Sequence, residues 1–188
     1  HELKNPRSKS NPGATIEIRD TEHLFYQLNE FQSDLEIHAS NRQNIWKPNV
    51  RAMTKNWLNM GLRPRAVTRD LEWGIDVPID DKEWANKRVY VWFEAVQGYY
   101  TCARIWSERF ASSHPDGDSA WENWWIDKPG QSLKHVYFMG KDNIPFHTII
   151  WPAILMGLNR SRGQNELLHL EDNVAANEYL MLQGGQFS

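Results

Sequence analysis

Three residues spaced by four, Asn143, His147 and Trp151, stand in the stretch HVYFMGKDNIPFHTIIWPAILMG (135–157). Residues four apart share one face of a helix, so an amide, an imidazole and an indole are expected to point the same way. Just before them, Gly140-Lys141-Asp142 interrupts an apolar strand pattern. A glycine there permits close backbone approach, and the N–H groups at a helix start favour an anion or ribose oxygens. The Asp142 carboxylate could accept two hydroxyl hydrogen bonds. The same residues also spell a plain turn, with Asn143 as N-cap and Pro145 in the first helical turn.

Trp92 and Tyr99 form a second aromatic set, near the end of another apolar run and on the helix after it. If the two strands are parallel, both sets converge above neighbouring carboxyl ends. Aromatic walls with a few polar tips make a small-ligand pocket, and sulfur contacts aromatic edges favourably, so an unbranched thioether would suit it. Ordinary packing is the competing account, since buried histidine and tryptophan are common in cores. His23 and His38 read as surface or packing residues. No His, Asp and Glu set has metal-ligand spacing, and neither a Gly-x-Ser-x-Gly elbow nor a P-loop occurs. Nothing proposes a nucleophile, so these residues would position and polarise rather than form a covalent intermediate.

The elements that must position them follow from the patterning. Ala14 to Arg19 (ATIEIR) alternates like a half-buried strand, and Leu24 to Leu28 reads as a second extended piece. Asp34 to Trp46 and Asn49 to Met60 read as polar-faced helices, with Gly61 where a left-handed cap is wanted. Arg65 to Arg69, Arg88 to Phe93 and His135 to Gly140 are short strand candidates. The last two run into helices over Glu94 to Phe110 and Ile144 to Gly157, and Glu178 to Leu182 is a fourth extended piece. Strands alternating with helices predict a parallel sheet, with ligands outside its carboxyl ends.

Composition sets the bounds. The chain has 188 residues, 40% hydrophobic and 24% charged, close to globular averages. A net charge of −3 gives no electrostatic reason to expect nucleic acid from charge alone; Lys4, Arg7 and Lys9 read as a solvated segment. The single cysteine, Cys102, excludes an internal disulfide and a Cys-cluster zinc site within these residues. No apolar run approaches the roughly 20 residues that span a bilayer, and the expected location is cytoplasmic. Ten tryptophans are the outlier.

Six motifs in order resemble methionyl-tRNA synthetases of class I: NPRS (5–8), TEHLF (21–25), GLRPRAVTRDLEWG (61–74), YVWFEAVQGY (90–99), GKDNIPFHTIIWPA (140–153) and DNVAANEYLMLQGGQFS (172–188). The resemblance implies an α/β fold: the C-terminal half of a Rossmann-type parallel sheet with flanking helices over 63–188, and over 1–62 a small α+β piece of the connective insertion. It implies a methionine site at Trp92, Ala95, Val96, Tyr99, Asn143, His147 and Trp151. Gly140 and Asp142 match ribose-holding positions, the backbone of Met181 and Leu182 would face adenine, and Arg69 and Lys141 match basic positions near the reacting phosphates. ATP with Mg²⁺, methionine and tRNA are the implied reactants, with no metal ligands in this segment. Glu94 stands where the family more often has Asp, and Gln186 where many members have Lys.

The family's His-x-Gly-His-type half, zinc knuckles and anticodon-binding domain have no counterpart here, and its Lys-x-Ser-Lys-Ser-like loop would begin at Gln186. The expectation is therefore a segment inactive in methionine activation by itself. Two other readings remain open at this point: a non-catalytic binding module with tryptophan platforms, and a synthetase-like pseudo-enzyme or assembly subunit.

Overall fold

A computed structural model describes residues 7, 8, 10–182, 185 and 186. Lys4 and Lys9, Asn5 and Pro6 of NPRS, and Phe187 and Ser188 of the final loop lie outside the described residues. The architecture is mixed α/β, as expected. In chain order it comprises β1 (Phe25–Tyr26), α1 (Gln32–Asn41), α2 (Pro48–Asn59), β2 (Arg65–Ala66), β3 (Thr68–Asp70) and β4 (Lys87–Val89). Then come α3 (Val91–Ala95), α4 (Gly98–Phe110), α5 (Glu122–Trp125) and β5 (Val136–Gly140). A π-helical turn (Phe146–Ile150), α6 (Trp151–Asn159), β6 (Asn173–Asn177), β7 (Met181–Leu182) and β8 (Gly185–Gln186) complete the order.

The sheet differs from the expected run of parallel strands. Among the described residues only β5 and β6 pair in parallel, from Val136 opposite Asn173 to Gly140 opposite Asn177. β3 and β4 pair antiparallel, because residues 71–86 between them supply no crossover helix, and a short return reverses the chain. β1 pairs antiparallel with β2. The alternating segment 14–19 forms no strand: without a partner strand its pattern has no face to bury, and Ile18 is 98% exposed. The expected strand over 88–93 stops at Val89, and Trp92 lies in a helix instead. Of 178–182 only Met181–Leu182 is strand.

Local chemistry explains the helix boundaries. α2 starts at Pro48, whose missing N–H costs nothing in a first turn, and ends before Gly61 at φ +74°, a left-handed position suited to glycine. The helix after β5 begins as a π turn. Pro152 has no N–H to give the Thr148 carbonyl four residues back, so the regular ladder is interrupted there. Such turns recur at functional sites.

One apolar cluster joins the early helices to the later ones: Leu28, Leu35 and Leu58 pack with Ile149, Trp151 and Leu155. Residues before and after position 62 thus share a core. Thr54 on α2 adds a polar tie, its Oγ1 2.9 Å from Thr148 Oγ1. No helix among the described residues is long and apolar enough to cross a membrane.

Candidate functional site: an aromatic hollow beside a strand end

Two helical segments converge beside β5. α3 contributes Trp92 and Ala95, Val96 follows it, and α4 contributes Tyr99. From the other side come Phe138 and Met139 of β5, Asn143, and Phe146 and His147 of the π turn. Together they line a hollow of about 290 Å³. The rings of Trp92 and Phe146 stand 5.7 Å apart.

The polar tips inside it are fixed. His147 Nδ1 lies 2.9 Å from the Asn143 carbonyl oxygen, and Tyr99 Oη lies 2.9 Å from His147 Nε2. A carbonyl only accepts, so Nδ1 carries the hydrogen. Burial pushes the His147 pKa below its ordinary value, opposed by the Asn143 bond and by Glu171. The neutral ring therefore accepts at Nε2 from the Tyr99 hydroxyl. Burial likewise raises the Tyr99 pKa. The Tyr99 hydroxyl is thus spent on His147 and the His147 Nδ1–H on the Asn143 carbonyl, and the aromatic walls around them suit an apolar, polarizable side chain.

Trp151 does not line this hollow. It is 1% exposed, and its Nε1–H donates to Tyr137 Oη at 3.0 Å. The Tyr137 ring in turn lies 4.8 Å from Tyr99 and 5.5 Å from His147. Trp151 thus backs the wall through Tyr137. Six of the seven residues expected around a thioether are brought together, and the seventh stands behind them. Asn143 makes no side-chain cap; it closes a 3-10 turn (Lys141–Asn143).

At the carboxyl end of β5, Lys141 and Asp142 are tied to the segment after β6. Lys141 Nζ pairs with Glu178 Oε2 at 2.8 Å and lies over the Tyr179 ring, while the Tyr179 hydroxyl donates to Asp142 Oδ2. Glu178 also accepts from Asn49 Nδ2 at 3.0 Å. Lys141 holds the Glu178 carboxyl below its ordinary pKa, with Asn49 helping. Gly140 has φ −73° and would meet nothing within 4 Å if it carried a Cβ, so neither backbone nor packing requires glycine, and the space beside it is open.

Arg69 lies elsewhere, stacked over Tyr90 at 4.1 Å, and no hydrogen bond or ion pair links it to Lys141 among the described residues. Met181 and Leu182 are exposed on β7, which pairs antiparallel with β8. Sequence reasoning missed Tyr137, Phe138, Met139 and Phe146 around the hollow, and Glu178 and Tyr179 at the strand end. Tyr137 and Met139 alternate on β5, and Phe146 precedes His147, so strand period and adjacency could have found those three. Nothing local marks Glu178 or Tyr179, whose contacts span 37 residues.

A family model described as tRNA synthetases class I (M) matches residues 1–188. The chain belongs to the class I tRNA synthetases. Among curated relatives, methionine–tRNA ligase of Roseiflexus sp. (strain RS-1) is 46% identical over 179 residues, covering 94% of this chain and 28% of that protein. The enzyme of the same description from Chlorobium limicola is 44% identical over 187 residues, covering all of this chain and 25% of the relative. This synthetase segment therefore spans about a quarter of the length of the curated relatives it matches. Among solved structures, Mycobacterium tuberculosis methionyl-tRNA synthetase bound by methionyl-adenylate superposes with a TM-score of 0.58 at 25% identity. The match covers 83% of this chain and 26% of that one.

Proposed function

We propose that this synthetase segment serves a methionine–tRNA ligase, which joins methionine to ATP and passes the methionyl group to tRNA. The observation that carries the reading is the Tyr99–His147–Asn143 relay inside an aromatic hollow. A leucine-like branched chain would crowd facing rings, whereas an unbranched thioether lies between ring edges. Trp92, Ala95, Val96, Tyr99, Asn143 and His147 hold the side chain, and Trp151 keeps Tyr137 and hence Tyr99 in place.

The nucleotide is assigned to the carboxyl end of β5, where the space beside Gly140 admits a ribose and the free Oδ1 of Asp142 accepts from its hydroxyls. The backbone of Met181 and Leu182 is assigned to the adenine. Lys141 and Arg69 supply positive charge toward the phosphates; such oriented charge is the main way a protein assists phosphoryl displacement. Mg²⁺ would arrive with the triphosphate, which with water supplies its oxygens. Among the described residues no group of three or more His, Cys, Asp or Glu forms a separate cage. Residues 1–62 are assigned to the connective insertion and 63–188 to the catalytic domain. The chain spans about a quarter of the length of the curated relatives it matches, so the 188 residues alone are expected to catalyse no ATP–pyrophosphate exchange.

The test is saturation-transfer NMR with methionine, norleucine and leucine on this chain. Methionine should receive saturation at its S-methyl group, leucine much less, and His147→Ala should abolish the difference. Equal transfer to all three, or transfer unaffected by His147→Ala, would overturn the assignment.

A further inference from the structure

The connection between β6 and β7, residues 178–180, is neither helix nor strand, yet its side chains close over the carboxyl end of β5. Glu178 places Oε2 2.8 Å from Lys141 Nζ. The same ammonium lies over the Tyr179 ring, 4.7 Å from its centroid, and the Tyr179 hydroxyl donates to Asp142 Oδ2. A fourth contact comes from α2, where Asn49 Nδ2 donates to Glu178 Oε1 at 3.0 Å. Both carboxylate oxygens of Glu178 are thus engaged. So are Lys141 and one oxygen of Asp142, by partners 37 residues further along the chain.

These contacts have the chemical form of a bound nucleotide. A carboxylate oxygen meets the Lys141 ammonium as a phosphate oxygen would, each being an anionic acceptor of the same charge-assisted bond. A phenol hydroxyl donates to Asp142 as a ribose hydroxyl would. Lys141, with help from Asn49, holds the Glu178 carboxyl below its ordinary pKa, so it is an anion at neutral pH. The Glu178 side chain is 59% exposed and Tyr179 41%; both can give way without opening the core. An ordinary surface ion pair is the competing account. It does not explain why two consecutive residues cover a neighbouring cation and anion, each with the complementary group, while a separate helix fixes the carboxylate.

We infer that Glu178 and Tyr179 set nucleotide affinity by occupying the site themselves: Glu178 stands in for a phosphate at Lys141, Tyr179 for a ribose hydroxyl at Asp142, and both are displaced when a nucleoside triphosphate binds. The inference rests on the nucleotide assignment above and deepens it by naming the contacts that ATP must exchange. Asn49 is a positioning residue here, since it acts through the Glu178 carboxylate. Two separate competitors make a divided response. Glu178 opposes the phosphates alone, whereas Tyr179 opposes the ribose, which adenosine and ATP share.

The test follows the amide NMR shifts of Gly140, Lys141, Asp142 and Asn143 in this chain, titrated with ATP and with adenosine. Glu178→Gln should tighten ATP about threefold, the scale of one exposed ion pair, and leave adenosine unchanged. Tyr179→Phe keeps a ring beneath Lys141 and frees the second Asp142 oxygen, so it should tighten both ligands alike. Asn49→Ala should tighten ATP by less, with no change of charge. Glu108→Gln supplies the control: it is an exposed carboxylate on α4 with no ion pair among the described residues, and its loss should alter neither affinity. Weaker ATP binding by Glu178→Gln would mean that the pair supports Lys141, and would overturn the proposal. Equal tightening of ATP by Glu108→Gln would reduce the effect to net charge, and equal tightening of adenosine by Glu178→Gln would reduce it to general loosening; either overturns it. Nucleotide shifts in the parent chain with no response to Glu178→Gln or Tyr179→Phe sink this inference alone. If neither ligand moves these amides in any of the chains, the nucleotide assignment itself fails and takes this inference with it.

Discussion

Tyr99 Oη lies 2.9 Å from His147 Nε2, and that bond joins α4 to the π turn across the candidate methionine hollow. Nδ1 is committed to the Asn143 carbonyl, and Tyr99 is the partner of Nε2 among the described residues. Tyr99→Phe removes the donor and leaves a buried acceptor, with little change of shape. The expected loss is about 1 kcal/mol of stability, measured by urea denaturation. Methionine should lose its advantage over serine-like polar ligands, since the freed nitrogen would accept a hydroxyl. Unchanged selectivity in the NMR titration would show that the bond plays no part in it.

Acidification should loosen the same site, and the sign follows from the direction of the pKa shift. Burial lowers the folded-state pKa of His147, while the unfolded chain titrates near 6.5. Above about pH 6.5 both states are neutral and the contribution is fully present. As pH falls below that value, the unfolded chain takes up protons first, so stability drops until the folded-state pKa is reached. His135, its pKa also lowered by burial, adds to the same limb. Asp70, Asp172 and Glu178 have lowered pKa values, and their losses begin further down, near ordinary carboxylate pKa values. Urea midpoints at about pH 7.5, 6.5 and 5.5 should therefore decline, and His147→Gln should flatten the decline. A flat profile in the parent would contradict the burial argument.

The candidate site was more legible in the sequence than the sheet. Asn143 and His147 stand at helical spacing and Trp92 and Tyr99 are chemically distinctive; their convergence was expected only if the two strands ran parallel, and the structure brings them together although β4 pairs antiparallel with β3. The sheet could not be read that way, because a short strand's pairing depends on what lies beside it. RAVTR and RVYVWF look like parallel partners of HVYFMG, yet β3 and β4 form an antiparallel pair with each other. β6 was missed because NVAAN carries a single β-branched residue and two alanines, a weak strand signal; its partner β5 makes it one. Trp151 obeyed its spacing, but Tyr137 from β5 intervenes between it and the hollow, and no one-dimensional pattern reveals an intervening ring.

Trp151 makes a graded test of that intervening layer. Trp151→Phe fills much of the volume but withdraws the Nε1–H from Tyr137 Oη, and leaving a buried polar group unpaired costs about 1–3 kcal/mol. Trp151→Ala adds a cavity, for a total of about 3–5 kcal/mol. Urea denaturation gives both values. If Tyr137 is held by the indole, Trp151→Phe should also weaken methionine contact although the residue never touches the hollow. Full methionine contact in a folded Trp151→Phe variant would mean that Tyr137 is positioned by its other neighbours.

The strongest stability prediction concerns a pair far from the hollow. His38 on α1 and Glu171, ahead of β6, are 5% and 0% exposed, with His38 Nε2 2.6 Å from Glu171 Oε1. Glu171 Oε2 is buried with no partner among the described residues, so the carboxyl depends on this one side-chain contact. His38→Ala takes it away and opens a gap beside Trp46, whose ring lies edge-on to the imidazole. Breaking a buried pair from one side costs about 3–5 kcal/mol, a large part of a single domain's stability. The variant should unfold at much lower urea, or fail to fold. Replacing both partners, as His38→Leu with Glu171→Met, removes the stranded carboxyl and should recover most of the loss. If the double variant is no better than His38→Ala, the penalty comes from lost packing around Trp46 and not from an unpaired buried group.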